Sequence, residues 1–222
     1  MTIDIEMVLK ELARKRTVFH SEADFQHSLA WEIHNTYPEC AIRLERSMHL
    51  MKDATHLDIF AYDEECLIMV EVKYKTRGLL ATVQGEQFYL KDQSAQDLGR
   101  YDFLKDIERL EKLGEKYKSS LGYAVMLSND SSYWKPPGNP NTCDSSFRIN
   151  EGRVVSGELA WGARTSEGTK KDRDKKITVR GKYILQWHDY SELSSNETLA
   201  GNYRRFRYIV VKINTKHALE NR

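Results

Sequence analysis

The sequence predicts an α/β protein: a mixed β-sheet flanked by helices, in the order helix, three strands, helix, strand. Three observations carry that expectation. Residues 55–62 (THLDIFAY) and 66–74 (CLIMVEVKY) are short runs rich in aliphatic and aromatic side chains, joined through Asp63 to Cys66, and together they read as a hairpin. Residues 93–117 place Leu98, Tyr101, Leu104, Ile107, Leu110 and Leu113 about three apart, the stripe of a half-buried helix. Residues 121–127 (LGYAVML) are continuously apolar, as in a central strand parallel to its predecessor after a helical crossover.

The remaining elements follow in order. Ile5, Val8, Leu9 and Leu12 have helical spacing within 3–15. Ser21, with Asp24 three residues on, reads as the cap of a second helix over 22–35, and Tyr37-Pro38 ends it. That helix turns Phe25, Leu29 and Ile33 inward, with Trp31 as a further core candidate. Residues 41–46 (AIRLER) alternate like a strand, and 47–54 read as a connection, with Ser94 the expected cap of the long helix. Residues 76–87 show no clear period. Residues 131–176, with Pro136, Pro137 and Pro140 and the run GTKKDRDKK, read as loop or disorder, although Phe147 and Trp161 argue against complete disorder. Strand-like runs return at 177–188 and 206–213.

The 222 residues suffice for one domain with an insertion. We expect a core over about 21–127, a loop-rich insertion over about 131–176 and C-terminal strands over about 177–215. Apolar residues make up 40% and charged residues 30%, with no run long enough to span a membrane and no signal-peptide pattern at the start. Cys40, Cys66 and Cys143 form no zinc spacing, and a reducing, cytoplasmic setting is expected. The net charge of +1 excludes a uniformly basic nucleic-acid binder, but basic clusters lie at 10–16, 170–182 and 204–207.

The chemistry concentrates in the hairpin. With a four-residue connection, Tyr62 lies opposite Leu67 and Asp58 opposite Glu71. Alternation then puts Glu71 and Lys73 on one face, with Val70, Val72 and Tyr74 on the other. Two carboxylates with Cβ atoms about 5 Å apart repel one another unless a cation lies between them, and Mg²⁺ takes such oxygen ligands. Lys73 would stand beside a metal-bound water or a phosphate. A one-residue slip would move Asp58 to the opposite face.

These residues resemble the PD-(D/E)XK nuclease superfamily, with its restriction-endonuclease-like fold (α-β-β-β-α-β). Asp58 matches the first acid and Glu71-Val72-Lys73 the second part of the motif; Leu57 stands where many members have proline. The resemblance covers about 21–127. It implies a Mg²⁺- or Mn²⁺-dependent endonuclease acting on DNA more readily than RNA, with Asp58, Glu71 and Lys73 catalytic and with Asp58, Glu71, the Val72 carbonyl and Glu22 as metal ligands. Glu22 has a competing role at the positive end of its helix. Gln26 shares its face and is a candidate nucleic-acid contact. Arg100 is a candidate phosphate contact or, alternatively, a salt-bridge partner within its helix. Nucleic acid is the expected partner, a membrane is not, and a homodimer is among the open assemblies. The alternative is a non-catalytic nucleic-acid-binding protein on the same scaffold.

Overall fold

A computed structural model describes residues 3–50, 53–64, 67–117 and 120–214, without the side chains of residues 49, 50, 53 and 54. Helix α1 (Ile5–Lys15) is capped by Asp4, whose carboxylate accepts the Met7 N–H, and it buries the expected Ile5, Val8, Leu9 and Leu12. Helix α2 (Glu22–Thr36) begins after Ser21, whose hydroxyl accepts the Asp24 N–H. It buries Phe25, Leu29 and Ile33, while Trp31 is 68% exposed. Two residues from both Leu29 and Ile33, Trp31 is turned about 200° away from each on a helix of 3.6 residues per turn.

Strands β1 (Ala41–Leu50) and β2 (Asp53–Tyr62) form an antiparallel ladder from Ala41↔Tyr62 to Leu50↔Asp53, so most of 47–54 is strand rather than connection. The polar sequence conceals this because β1 is an edge strand with a solvated side. Strand β3 (Leu67–Lys75) pairs with β2 in the expected register, Tyr62 opposite Leu67. Of the connection 63–66, residues 65 and 66 lie outside the described residues, as does the Asp53 side chain.

A second hairpin, β4 (Leu79–Val83) and β5 (Glu86–Leu90), occupies the stretch that shows no clear period in the sequence. Its two-residue turn is Gln84-Gly85 with φ of 51° and 83°, the primed geometry that matches strand twist. Helix α3 (Gln96–Lys116) starts after Ala95, not Ser94, and Ala95 adopts φ 67° with no side-chain cap. Its stripe is buried from Tyr101 to Leu113, with Leu98 half-buried. Strand β6 (Ser120–Ser128) then runs parallel to β3 over its full length.

The segment 131–176 is more ordered than its composition suggests. It holds a 3-10 turn (Ser145–Phe147) and β7 (Val154–Leu159), which pairs with β8 (Ile177–Ile184). Tyr101 of α3 stacks against Trp161 and meets Phe147 edge-on. Glu108 and Glu111 of α3 accept the Thr178, Arg180 and Gly181 N–H groups of β8. Apolar anchors and buried glutamates thus tie this segment to α3. After β9 (Trp187–Glu192) and β10 (Thr198–Ala200), β11 (Arg205–Asn214) joins β6 antiparallel.

The central sheet runs β1-β2-β3-β6-β11-β9 and is mixed, with β10-β4-β5 as a smaller sheet. One core, including Phe25, Val72, Tyr74 and Val125, lies between the sheet and α1 and α2. The other, including Met69, Leu104, Ile107 and Met126, lies under α3. No helix among the described residues is long and apolar enough to cross a membrane.

Candidate functional site

The site lies where β2 and β3 part. Their ladder runs from Tyr62↔Leu67 to Ile59↔Val70, and Asp58 and Glu71 come next. Beyond that point side chains replace the lost strand. The Asp58 carboxylate accepts the Val72 N–H at 2.7 Å, and the Glu22 carboxylate accepts the Tyr74 N–H at 2.8 Å. Because a strand residue presents its N–H and C=O to the same neighbour, the Val72 carbonyl faces this gap too. Lys73 Nζ donates to it at 3.2 Å.

Gln26 supports the fork from α2. Buried, it donates from Nε2 to the Asp58 carbonyl and to Glu45 Oε1, both at 2.7 Å. Glu45 has φ of 50°, and neither it nor Asp58 takes part in the β1–β2 ladder between Leu44↔Ile59 and Arg46↔Leu57. That break frees the Asp58 carbonyl for Gln26.

Glu71 and Lys73 alternate with the apolar Val70, Val72 and Tyr74 and so face α3. Glu71 is 1% exposed. Arg109 of α3 places a guanidinium nitrogen 2.5 Å from Glu71 Oε2 and 2.7 Å from Asp106 Oδ1, and it donates to Thr55 Oγ1 at 3.2 Å. Lys73 Nζ lies 2.9 Å from Asp106 Oδ2. Glu71 Oε1, by contrast, is buried with no hydrogen-bond partner. Three buried or half-buried carboxylates, Asp58, Glu71 and Asp106, therefore face two cations, Lys73 and Arg109.

The electrostatics follow from this crowding. Burial pushes the Glu71 carboxyl well above its ordinary range, and the Asp106 and Asp58 charges push it further than Arg109 pulls it back. Burial likewise raises Asp58 against the opposing effects of Lys73 and the Val72 N–H. Asp106 is raised by burial despite Lys73 and Arg109. Burial alone would lower the Lys73 ammonium, but Asp106, Glu22 and Asp58 outweigh it and hold it firmly charged.

The donors suit a hard divalent cation: carboxylate oxygens of Asp58 and Glu71, Glu71 Oε1 among them with no hydrogen-bond donor, and the Val72 carbonyl between Asp58 and Glu22. As the side chains stand, no three His, Cys, Asp or Glu among the described residues enclose an ion. Arg109 and Lys73 stand among the acids instead.

Asp58, Glu71, Val72, Lys73, Glu22 and Gln26 are thus brought to one place. Arg100 is directed elsewhere: 3% exposed, it donates to Asp144 Oδ2 and the Ser132 carbonyl, leaving little surface for a phosphate. The basic clusters are largely tied to acids, Arg16 to Asp24, Arg173 to Asp102 and Arg205 to Asp189. Sequence reasoning missed Asp106 and Arg109. Their signal was a charge in a core-facing slot, since Phe103, Asp106, Ile107 and Leu110 follow the i, i+3, i+4, i+7 pattern. Searches against protein-family models, curated proteins and solved structures return no match to this chain, so the site is read from its own geometry.

Proposed function

We propose that the protein is a metal-dependent nuclease hydrolysing phosphodiester bonds, DNA more readily than RNA, on a restriction-endonuclease-like core. The observation that carries this reading is the parting of β2 and β3 at Asp58 and Glu71, with Lys73 beside them and Glu71 Oε1 buried without a hydrogen-bond donor. Asp58, Glu71 and the Val72 carbonyl would hold Mg²⁺ or Mn²⁺, with Glu22 at the margin. A bound ion of this class supplies an acidified water and neutralises charge on phosphate oxygens. Lys73, held protonated by its carboxylate neighbours, steadies the negative charge that builds on the phosphate. Gln26 fixes the Asp58 backbone and acts as a positioning residue. Arg109 balances Glu71 in the metal-free arrangement.

The test is cleavage of plasmid and of single-stranded circular DNA with Mg²⁺ or Mn²⁺, comparing wild type with Glu71→Gln and Lys73→Ala. Each variant is expected to lose about 100-fold or more in rate, the scale of removing one group aimed at developing charge, with its circular dichroism unchanged. Equal cleavage by the Lys73 variant sinks the assignment. The second reading, a non-catalytic nucleic-acid binder on the same scaffold, draws support from the Lys73–Asp106 and Arg109–Glu71 pairs, which already supply cations to these acids. It predicts no cleavage by wild type with either metal.

A further inference from the structure

A groove of about 630 Å³ opens on the α3 side of the β1–β2 hairpin, lined by Arg43, Arg46, Phe60, Tyr62, Leu67 and Tyr117. It lies next to the acid site: Phe60 and Tyr62 share a face of β2 and follow Asp58 by two and four residues. At about 3.4 Å per residue, Tyr62 lies about 14 Å along the strand from Asp58. The lining pairs cations with rings. The Arg46 guanidinium sits 3.8 Å from the Phe60 ring centre, and that of Arg43 5.9 Å from Tyr62. Lys116 stands over Tyr117 at 5.8 Å. Neither Arg43 nor Arg46 makes an ion pair with a carboxylate among the described residues; Arg43 donates only to the neighbouring Ile42 carbonyl. Charge on an edge strand guards against strand pairing, but that purpose requires no stacking on rings.

We propose that this groove holds the unpaired nucleotides flanking the bond to be cut, making the substrate a single-stranded nucleic acid or a single-stranded stretch of one. The proposal rests on the phosphodiesterase reading for its chemistry, but the groove binds without it. Its surface offers what a single strand needs: cations for the backbone, and flat faces for bases. Phe60 is 3% exposed beneath Arg46, so the layer presented to a base there is the guanidinium plane, with the half-buried Tyr62 ring as a second platform. Bases stack on either surface. In a duplex those base faces are already stacked on one another and closed to Tyr62.

The experiment is fluorescence anisotropy of a labelled oligothymidylate of about fifteen nucleotides, titrated with full-length protein in EDTA, beside a blunt duplex of equal length. Wild type is expected to bind the single strand at least about tenfold more tightly than the duplex, with affinity falling as salt rises. Arg43→Ala and Arg46→Ala should each weaken single-strand binding about tenfold while melting like wild type. Tyr62→Leu tests the ring with the apolar bulk retained. Arg46→Lys should keep the salt dependence but not the affinity, because it restores charge without the plane. Equal binding of duplex and single strand, or groove variants indistinguishable from wild type, overturns the proposal whatever the cleavage assay gives. Groove-dependent binding with no metal-dependent cleavage upholds the groove and removes the nuclease reading.

Discussion

One charged cluster lies at the start of α3, around Arg100 and Asp144, and another at its middle, around Asp106 and Arg109, and they are finished in different ways. Around Asp144, every carboxylate oxygen is met: Oδ1 by Thr142 Oγ1 and Arg148, Oδ2 by Arg100. Arg153 completes that cluster by donating to the Ser145 and Ser146 carbonyls. Only Nε donors of Arg100 and Arg148 are left over. Around Glu71 the buried acids outnumber the cations: Arg109 meets Glu71 Oε2 and Asp106 Oδ1, Lys73 meets Asp106 Oδ2, and Glu71 Oε1 is left buried without a partner. A cluster that serves as a cross-link satisfies its acids, because an uncompensated buried charge is costly. On the nuclease reading, a cluster with more buried acids than cations is the one that would take a metal ion.

The contrast is open to direct test. The largest effect is expected at the cross-link: Asp144→Ala strands Arg100 and Arg148 and should cost about 3–5 kcal/mol in urea unfolding. A loss below about 1 kcal/mol would show that the 131–153 segment is held by its apolar contacts alone. Next is the ion itself. Saturating Mg²⁺ should stabilise wild type by about 2–3 kcal/mol at a hundredfold excess over its dissociation constant, read as a rise in melting temperature over EDTA. That rise should vanish in Glu71→Gln. The same rise in both proteins would place the ion elsewhere.

The smallest effect decides between the two functional readings. Glu71's carboxyl is raised in the folded state above its ordinary 4.5. Its stabilising contribution is therefore present below that value and lost as pH rises through the folded-state pKa. At pH 8 without metal, Glu71→Gln should be more stable than wild type by about 1 kcal/mol, the gap closing toward pH 4.5. A less stable variant at pH 8 would mean that pairing with Arg109 outweighs burial, favouring a structural network.

The sequence carried the part of this site that depends on alternation. One short connection sets the β2–β3 register, and strand parity then puts Glu71 and Lys73 on one face. Asp106 and Arg109 were harder to see, because their meeting with β3 depends on how α3 lies across the sheet, a long-range fact that helical periodicity does not encode. The β4–β5 hairpin was hidden for a local reason: Gln84 takes a positive φ that the Asn-Gly and Asp-Gly preference does not flag. Segment 131–176 was misjudged by composition, because a few large rings, Phe147 and Trp161 among them, order it against α3. Trp31 shows the reverse, a large apolar residue that helical phase leaves in solvent.

The parting of β2 and β3 has a consequence for what can replace the acids that border it. Asp58 and Glu22 also complete the backbone of β3, accepting amides that no neighbouring strand reaches. Trimming either to alanine would bare an N–H at the heart of the sheet, whereas asparagine or glutamine keeps an acceptor in place. A chain with amides at these two positions would thus keep its sheet whole, and a site stripped of these acids would still look much like this one.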